Sequence, residues 1–121
     1  MCNQMVVDSE RDTEVDRIFQ ALADATRRDI VARTLTHELS VSAIAEHYAM
    51  SFAAVQKHVA VLERASLITK VRRGREQLVH SNADTLRRAA QLLDAYEKIW
   101  HSRAARIGDI LLAEPEKGTE Q

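Results

Sequence analysis

The sequence predicts a mainly α-helical domain with a small β-hairpin, an α+β fold class. Apolar residues recur at helical spacing over most of the 121 residues, and two β-prone runs flank a single glycine. The chain has only 3 Gly and 1 Pro to interrupt its elements. Aromatic residues make up 4% of the chain, so we expect a core of Leu, Ile, Val and Ala.

The length is that of one domain, with a different composition at each end. Residues 1–13 are polar and acidic without helical or strand period, and residues 114–121 are similar, so we expect both ends to be disordered. This places the ordered domain at residues 14–113. The single cysteine, Cys2, can form no internal disulfide, and no long apolar run precedes the first helix. We therefore expect a cytoplasmic protein without membrane contact.

Two short helices are predicted at the start of the domain. The first carries an apolar stripe at i, i+3, i+4, i+7 spacing, made of Val15, Ile18, Phe19 and Leu22. Asp24 offers an N-cap carboxylate for the second, which runs from Ala25 to about Thr36. Three apolar residues form the inward face of this second helix: Ile30, Val31 and Leu35.

Two more short helices follow, each with a serine at its N-cap position. Ser40 precedes a helix of little more than two turns, whose buried side is Val41, Ile44 and Ala45. Ser51 precedes a helix with apolar residues at i, i+4, i+7, namely Val55, Val59 and Leu62. Small or hydrogen-bonding side chains occupy the opposite face of that helix: Ala53, Gln56, Lys57 and Ala60.

A hairpin and a long helix complete the predicted domain. The β-prone runs 67–73 and 76–81 meet at Gly74, with Arg72, Arg73 and Arg75 at the tip. From Asn82 the pattern is helical for about thirty residues. A seam at seven-residue spacing follows this helix, made of Leu86, Leu93, Trp100 and Ile107. The seam is longer than four short helices can cover, which favours a partner chain.

Basic charge is concentrated in one part of the chain. The whole sequence has a formal net charge of −1. Residues 57–75, however, contain six Lys or Arg against Glu63 alone, a net of +5, whereas residues 8–16 contain five acids against Arg11 alone, a net of −4. A local basic segment is the charge pattern expected of a surface that meets nucleic-acid phosphates.

Two short helices joined by a tight turn, the second with a polar outer face, followed by a basic hairpin, indicate a winged helix-turn-helix. The major groove of B-DNA is about 12 Å wide and admits one helix, whose outward side chains must be small or able to hydrogen-bond base edges. Gln56 can pair with adenine, and Lys57 can reach guanine or phosphate. The hairpin arginines can follow the minor groove or its phosphates, and Arg27 and Arg28 can add backbone contacts. The predicted DNA-binding residues are Ser51, Ala53, Gln56, Lys57, Arg72, Arg73 and Arg75.

Three segments resemble the ArsR-type repressors, the arsenical-resistance regulator family: residues 22–30 (LADATRRDI), 39–45 (LSVSAIA) and 55–67 (VQKHVAVLERASL). The resemblance extends from about Val15 to Leu111. It implies a homodimer in which the fourth helix reads DNA and the last helix joins the first at the interface. The expected dimer-interface residues are Ile18, Phe19, Leu86, Leu93, Trp100 and Ile107.

The chain also departs from the family pattern. Ala25 replaces the usual proline, and Ser66 replaces a glycine, so a left-handed turn after the fourth helix costs more here. Ser40 and Ser42 stand where metal-sensing members carry a Cys-x-Cys pair. Because a hydroxyl is a poor ligand for thiophilic metals, we expect neither metal nor cofactor there. A second face, formed by Asp94, Glu97 and His101, does not fit the spacing of the family's other metal site.

An enzyme is disfavoured, since no nucleophile with a base, no glycine-rich phosphate loop and no metal triad is visible. We expect repression, because a protein bound at a promoter blocks the polymerase. Two alternatives remain open. One is a metal-responsive repressor of the same fold. The other is a dimerising protein-interaction module that has lost DNA binding, suggested by Ser66 and by Phe52, at a position often polar in the family. The operator and the inducer, a small molecule or a metal, are also left open.

Overall fold

The computed structural model describes the backbone of residues 9–120 and the side chains of residues 13–112. Over this range five helices and three strands follow the predicted helix order, and the fold class is confirmed. The chain divides into two compact units after Ala89. The elements are α1 (Ser9–Leu22), α2 (Ala25–Thr36), β1 (Leu39–Ser40), α3 (Val41–Ala45), α4 (Phe52–Arg64), β2 (Ile68–Arg73), β3 (Glu76–Ser81) and α5 (Ala83–Glu120).

Three of the helices begin at the side-chain caps that the sequence predicts. The side chains of Asp24, Ser40 and Ser51 each accept a hydrogen bond from the backbone N–H three residues further on, at 3.0, 3.0 and 3.1 Å. Each bond satisfies a backbone donor that has no partner within its helix. The caps therefore fix where α2, α3 and α4 start.

The core of the first unit is built from aliphatic side chains of all its helices and of the sheet. The apolar face of α4, formed by Val55, Val59 and Leu62, is fully buried, as predicted. The largest fully buried apolar residues are Ile18, Ile30, Ile44, Val55, Val59, Leu62, Leu67, Ile68 and Val79.

The predicted inward face of α2 is wrong at one position. Leu35 is 50% exposed, whereas Thr34 is 5% exposed. The Thr34 hydroxyl donates to the carbonyl oxygen of Ile30 at 2.8 Å and lies 2.7 Å from the hydroxyl oxygen of Ser81 in β3. A buried hydroxyl with its hydrogen bonds satisfied is tolerated, so the threonine, rather than the leucine, faces the sheet.

The sheet has three antiparallel strands in the order β1-β3-β2. Strands β2 and β3 form the predicted hairpin, and Gly74 at its tip has a φ of 65°, which glycine adopts at low cost. Strand β1 pairs Leu39 with Val79 and Ser40 with Leu78. Strand β1 was not predicted, because two residues are too few to show the alternation of a strand.

The helices at both ends extend further than predicted. Helix α1 begins at Ser9 and the backbone of α5 continues to Glu120, so the backbone of residues 9–13 and 114–120 is helical although their sequence shows no helical period. Residues 1–8 and 121 lie outside the described range. No helix in the described part of the chain is long and apolar enough to cross a membrane.

Candidate nucleic-acid interface

Helix α4 presents a polar face on the side opposite its buried stripe. Ala53, Gln56 and Lys57 are exposed, as is the N-cap Ser51. Phe52, the first residue of the helix, is also exposed, at 45%. Phe52 is not among the predicted DNA-binding residues, although the sequence shows that it directly follows the N-cap Ser51.

Arg27 fixes α4 to the junction of α1 and α2. Its guanidinium donates to the carbonyl oxygens of Ala21 at 2.8 Å and Gln20 at 3.1 Å, and its Nη1 lies 3.2 Å from Nδ1 of His58 in α4. Arg28 donates from Nη1 to the carbonyl oxygen of Leu22 at 2.8 Å. Both arginines, which could add contacts to the DNA backbone, donate within the chain to carbonyls at the C-terminal end of α1.

A tyrosine anchors the turn between α3 and α4 to α2. The Tyr48 hydroxyl donates to a carboxylate oxygen of Asp29 at 2.5 Å, and Arg33 donates to the same oxygen at 2.7 Å. The hydrogen bonds from Tyr48 and then Arg33 lower the pKa of Asp29. Burial, followed by the bond to Asp29, raises the pKa of Tyr48 to about 12. The cluster therefore holds the helix-turn-helix turn in one position on α2.

The C-terminal end of α4 closes with a left-handed residue. Ser66 has a φ of 62°, as predicted from its replacing a glycine. The Ser66 N–H bonds to the carbonyl oxygen of Glu63 at 2.9 Å and the Leu67 N–H to that of Leu62 at 3.0 Å, the paired bonds of a Schellman turn. The buried Thr85 hydroxyl donates to the Ser66 carbonyl at 2.5 Å. The turn leads the chain from α4 directly into the hairpin.

The hairpin carries exposed arginines with different surroundings. Nη1 of Arg73 lies 3.8 Å from one carboxylate oxygen of Glu38, and Nε2 of His80 lies 2.8 Å from the other. Arg72 and Arg75 have no ion-pair partner within residues 13–112, and neither does Lys57 of α4. These three cations are accordingly open to an external anion.

A cleft brings the predicted binding residues of α4 and the hairpin together. Phe52 and Gln56 of α4 line it from one side, Arg72 and Arg75 of the hairpin from the other. Ser42 of α3 also lines it. Residues as far apart in sequence as Ser42 and Arg75 thus share one surface with amide, hydroxyl and cationic groups and the carboxylate of Glu76.

The predicted dimer-interface residues fall into three groups. Leu93 and Trp100 are 54% and 59% exposed, and Ile107 is also exposed. Phe19 and Leu86 are partly buried against the core. Ile18 is 2% exposed, so its assignment to the interface is wrong: it is a core residue. Its position in the α1 stripe could not separate these two roles.

The acidic face of α5 is paired within its own helix. Lys98 lies 3.3 Å from Asp94, and His101 lies 3.6 Å from Glu97. Among the residues that the structure describes, no three His, Cys, Asp or Glu side chains lie close enough together to hold a metal ion.

Comparison with curated proteins finds transcriptional regulators. No protein-family model matches the chain. The chain is 35% identical over 102 residues to the HTH-type transcriptional regulator NmtR of Mycobacterium tuberculosis, covering 84% of this chain and 81% of NmtR. It is 30% identical over 71 residues to the transcriptional repressor SdpR of Bacillus subtilis, covering 59% of this chain and 77% of SdpR.

Comparison with solved structures gives the same class. An ArsR-like transcriptional regulator from Rhodococcus sp. RHA1 superimposes with a TM-score of 0.71 at 29% identity, covering 83% of this chain and 94% of that protein. A homodimeric winged helix-turn-helix DNA-binding domain from Mycobacterium bovis has a TM-score of 0.59 at 23% identity, covering 77% and 91%. The second likeness bears on the fold alone.

Proposed function

Because this chain belongs to the ArsR family of winged helix-turn-helix transcriptional regulators, we propose that it represses transcription as a homodimer bound to an operator with inverted half-sites. The observation that carries this proposal is the shared surface of α4 and the hairpin. An exposed helix face with small and amide side chains lies beside cations that have no partner in the described residues. Its relatives are regulators rather than enzymes.

Helix α4 is the proposed reading helix. The small Ala53 permits close approach of the helix backbone to the groove, and Gln56 can form two hydrogen bonds with adenine. Lys57 can reach a guanine or a phosphate. The N-terminal end of α4, capped by Ser51, carries the partial positive charge that attracts a phosphate.

The hairpin is the proposed wing. Arg72 and Arg75 are exposed and unpaired in the described residues, so they can neutralise DNA phosphates without first breaking an ion pair. Arg73 must share its charge with Glu38. We therefore assign Arg72 and Arg75 the larger electrostatic contribution and Arg73 a smaller one.

Helix α5 supports the homodimer. Three of its exposed apolar side chains, Leu93, Trp100 and Ile107, lie on one stripe that a second copy of the helix can cover. Phe19 and Leu86, in the first unit, are also assigned to the proposed interface. Two-fold symmetry would present two α4 helices about 34 Å apart, one turn of DNA. The relative SdpR is a transcriptional repressor, which supports repression as the outcome. The exposed apolar residues of α5 are Leu93, Tyr96, Ile99, Trp100, Ile107, Ile110, Leu111 and Leu112.

The position of a family metal site serves a structural role in this chain. The Ser40 hydroxyl oxygen accepts the Ala43 N–H and caps α3. Since the Ser40 hydroxyl caps the helix and a hydroxyl is a poor ligand for thiophilic metals, we propose that this protein does not sense such metals at Ser40 and Ser42. We also place the protein in the cytoplasm, where its DNA target lies.

Selection from a randomised duplex library, followed by fluorescence anisotropy, tests the proposal. The full-length protein should enrich an inverted repeat. Gln56→Ala should reduce the preference for that repeat over a scrambled duplex by about 5- to 150-fold, the value of one paired base contact. Gln91→Ala, which removes an exposed amide from α5, serves as the matched control and should leave the preference unchanged. Failure to enrich any duplex at low salt would overturn the proposal.

Salt dependence separates phosphate contacts from base contacts. The logarithm of affinity should fall with the logarithm of salt by about 0.9 per phosphate contact. Arg75→Ala should lower this slope by about 1 and weaken all duplexes alike. Lys98→Ala, which removes a cation from α5, should keep the slope. An unchanged slope for Arg75→Ala would remove the hairpin from the interface.

A further inference from the structure

Phe52 is an apolar group on a surface that otherwise suits a polyanion. It follows the N-cap Ser51 as the first residue of α4, and 45% of its surface is exposed. Exposing a large aromatic ring to water is unfavourable. Phe52 belongs neither to the core cluster nor to the partly buried residues packed against it, so the exposed part of the ring is available to a partner.

The neighbours of Phe52 indicate what kind of partner covers it. Phe52 and Gln56 lie one helical turn apart and line the same cleft, together with Arg72 and Arg75. Glu76 is the one carboxylate in the lining, so the two arginines leave it net positive. A net cationic cleft that also carries an amide fits the polyanionic surface of DNA.

The major groove of DNA has one apolar feature at its base edges, the C5-methyl group of thymine, which phenylalanine can contact. In helix-turn-helix proteins the N-terminal residues of the recognition helix are those that reach the base edges. We propose that Phe52 is a specificity-determining residue that packs against the C5-methyl of a thymine in each half-site. The proposal rests on the DNA-binding function proposed above.

The helix geometry places this thymine relative to the base that Gln56 reads. Four residues along an α-helix span about 6 Å, and successive base pairs are about 3.4 Å apart. The thymine therefore lies one or two base pairs from the adenine paired with Gln56. A phenylalanine at a position often polar in the family then changes the preferred base instead of abolishing DNA binding.

Uracil substitution tests this contact without altering the protein. In the duplex enriched by the full-length protein, each thymine is replaced in turn by uracil, which removes only the methyl group. One substitution per half-site should weaken binding about fourfold, the value of one buried methyl, and substitution in both half-sites about 15-fold. Thymines elsewhere in the duplex should show no such effect.

Protein variants assign the effect to Phe52. Phe52→Ala should bind the thymine duplex and the uracil duplex equally. Leu35→Ala, which removes a comparably exposed side chain from α2, should keep the full sensitivity to uracil. Circular dichroism checks that both variants are folded.

Each result decides between the two proposals. If the protein enriches a duplex but no uracil substitution weakens binding, or if Phe52→Ala stays sensitive to uracil, the thymine contact is wrong and the DNA-binding function stands. If no duplex is enriched, both proposals fail. If Phe52→Ala does not fold, Phe52→Leu replaces it: the smaller apolar side chain should reduce the sensitivity to uracil, and undiminished sensitivity would overturn the contact.

Discussion

Helices α4 and α5 carry apolar stripes of the same kind and bury them to opposite extents. Val55, Val59 and Leu62 of α4 are at most 1% exposed, whereas Leu93 and Trp100 of α5 are 54% and 59% exposed. Both stripes follow helical periodicity in the sequence. Helical periodicity therefore identifies the apolar face of a helix, but it does not show whether the same chain or a partner buries that face.

The difference follows from the surroundings of each helix. Helix α4 packs against α1, α2, α3 and β2 within one compact unit, so its own chain covers its stripe. The second unit begins at Ala90 and, among the described elements, contains only the part of α5 that follows Ala89. A second copy of the chain can supply the missing cover.

Leu62→Ala should have the largest effect on folding. Leu62 is fully buried, and removing such a side chain costs transfer free energy and leaves a cavity, so the free energy of unfolding should fall by about 2–5 kcal/mol. Urea denaturation measures the change. Leu35→Ala, at an exposed site, should cost less than about 0.5 kcal/mol. Equal losses for the two variants would contradict the assignment of the core.

Trp100→Ala should act on association, not on the fold of the first unit. Large aromatic side chains dominate interface energies, so the dimer dissociation constant should rise at least about thirtyfold, or 2 kcal/mol. Sedimentation equilibrium measures it. With Leu35→Ala, the exposed control on α2, association should be unchanged. A wild-type protein that is monomeric at micromolar concentration would contradict the proposed dimer.

The anchor of the helix-turn-helix turn should weaken at alkaline pH. The pKa of Tyr48 is raised to about 12, against about 10 in the unfolded chain. Below pH 10 the phenol is neutral in both states and its stabilisation is complete. Between pH 10 and 12 the unfolded chain ionises first, so stability should fall, by about 1 kcal/mol after allowance for partial solvent exposure.

Urea titrations at several pH values measure this loss, with Tyr48→Phe as the control. The variant has no ionisable group at this position, so the extra alkaline loss should disappear. An identical loss in the two proteins would assign the effect to other residues.

Ser66→Gly should give the smallest effect and the opposite sign. A non-glycine residue at a φ of 62° is strained, so glycine should raise the free energy of unfolding by about 0.5–1 kcal/mol. Ser102→Gly, within α5, should lower it by about 0.5 kcal/mol, because glycine is a poor helix former. Thermal melts compare the variants, and destabilisation by Ser66→Gly would show that the Ser66 side chain contributes more than its strain costs.

Features that depend on neighbouring residues could be predicted. The caps at Asp24, Ser40 and Ser51 and the hairpin at Gly74 each follow from a residue and its immediate sequence. The left-handed Ser66 follows from the family resemblance, in which a glycine stands at this position. The buried face of α4 was also predicted, because a stripe with no polar member has one consistent orientation.

Features that depend on contacts between distant residues could not be predicted. The exchange of Leu35 for Thr34 at the buried face of α2 depends on a hydrogen bond across to Ser81. Arg27 bonds to carbonyl oxygens of α1 and Arg73 pairs with Glu38, and both contacts depend on where the other elements lie. Ile18 has the same periodicity whether it faces the core or a partner.

The order of the five helices, the caps that start α2, α3 and α4, the basic hairpin and the family could be predicted from the sequence. These depend on short-range patterns of capping, periodicity and charge, which act over a few residues and survive in any environment. The tertiary structure alone decided which cations stay unpaired, which apolar stripe stays exposed, and that Phe52 lies beside Gln56, Arg72 and Arg75 in one cleft. Those outcomes depend on distances between residues far apart in the chain, and only the folded packing sets these distances.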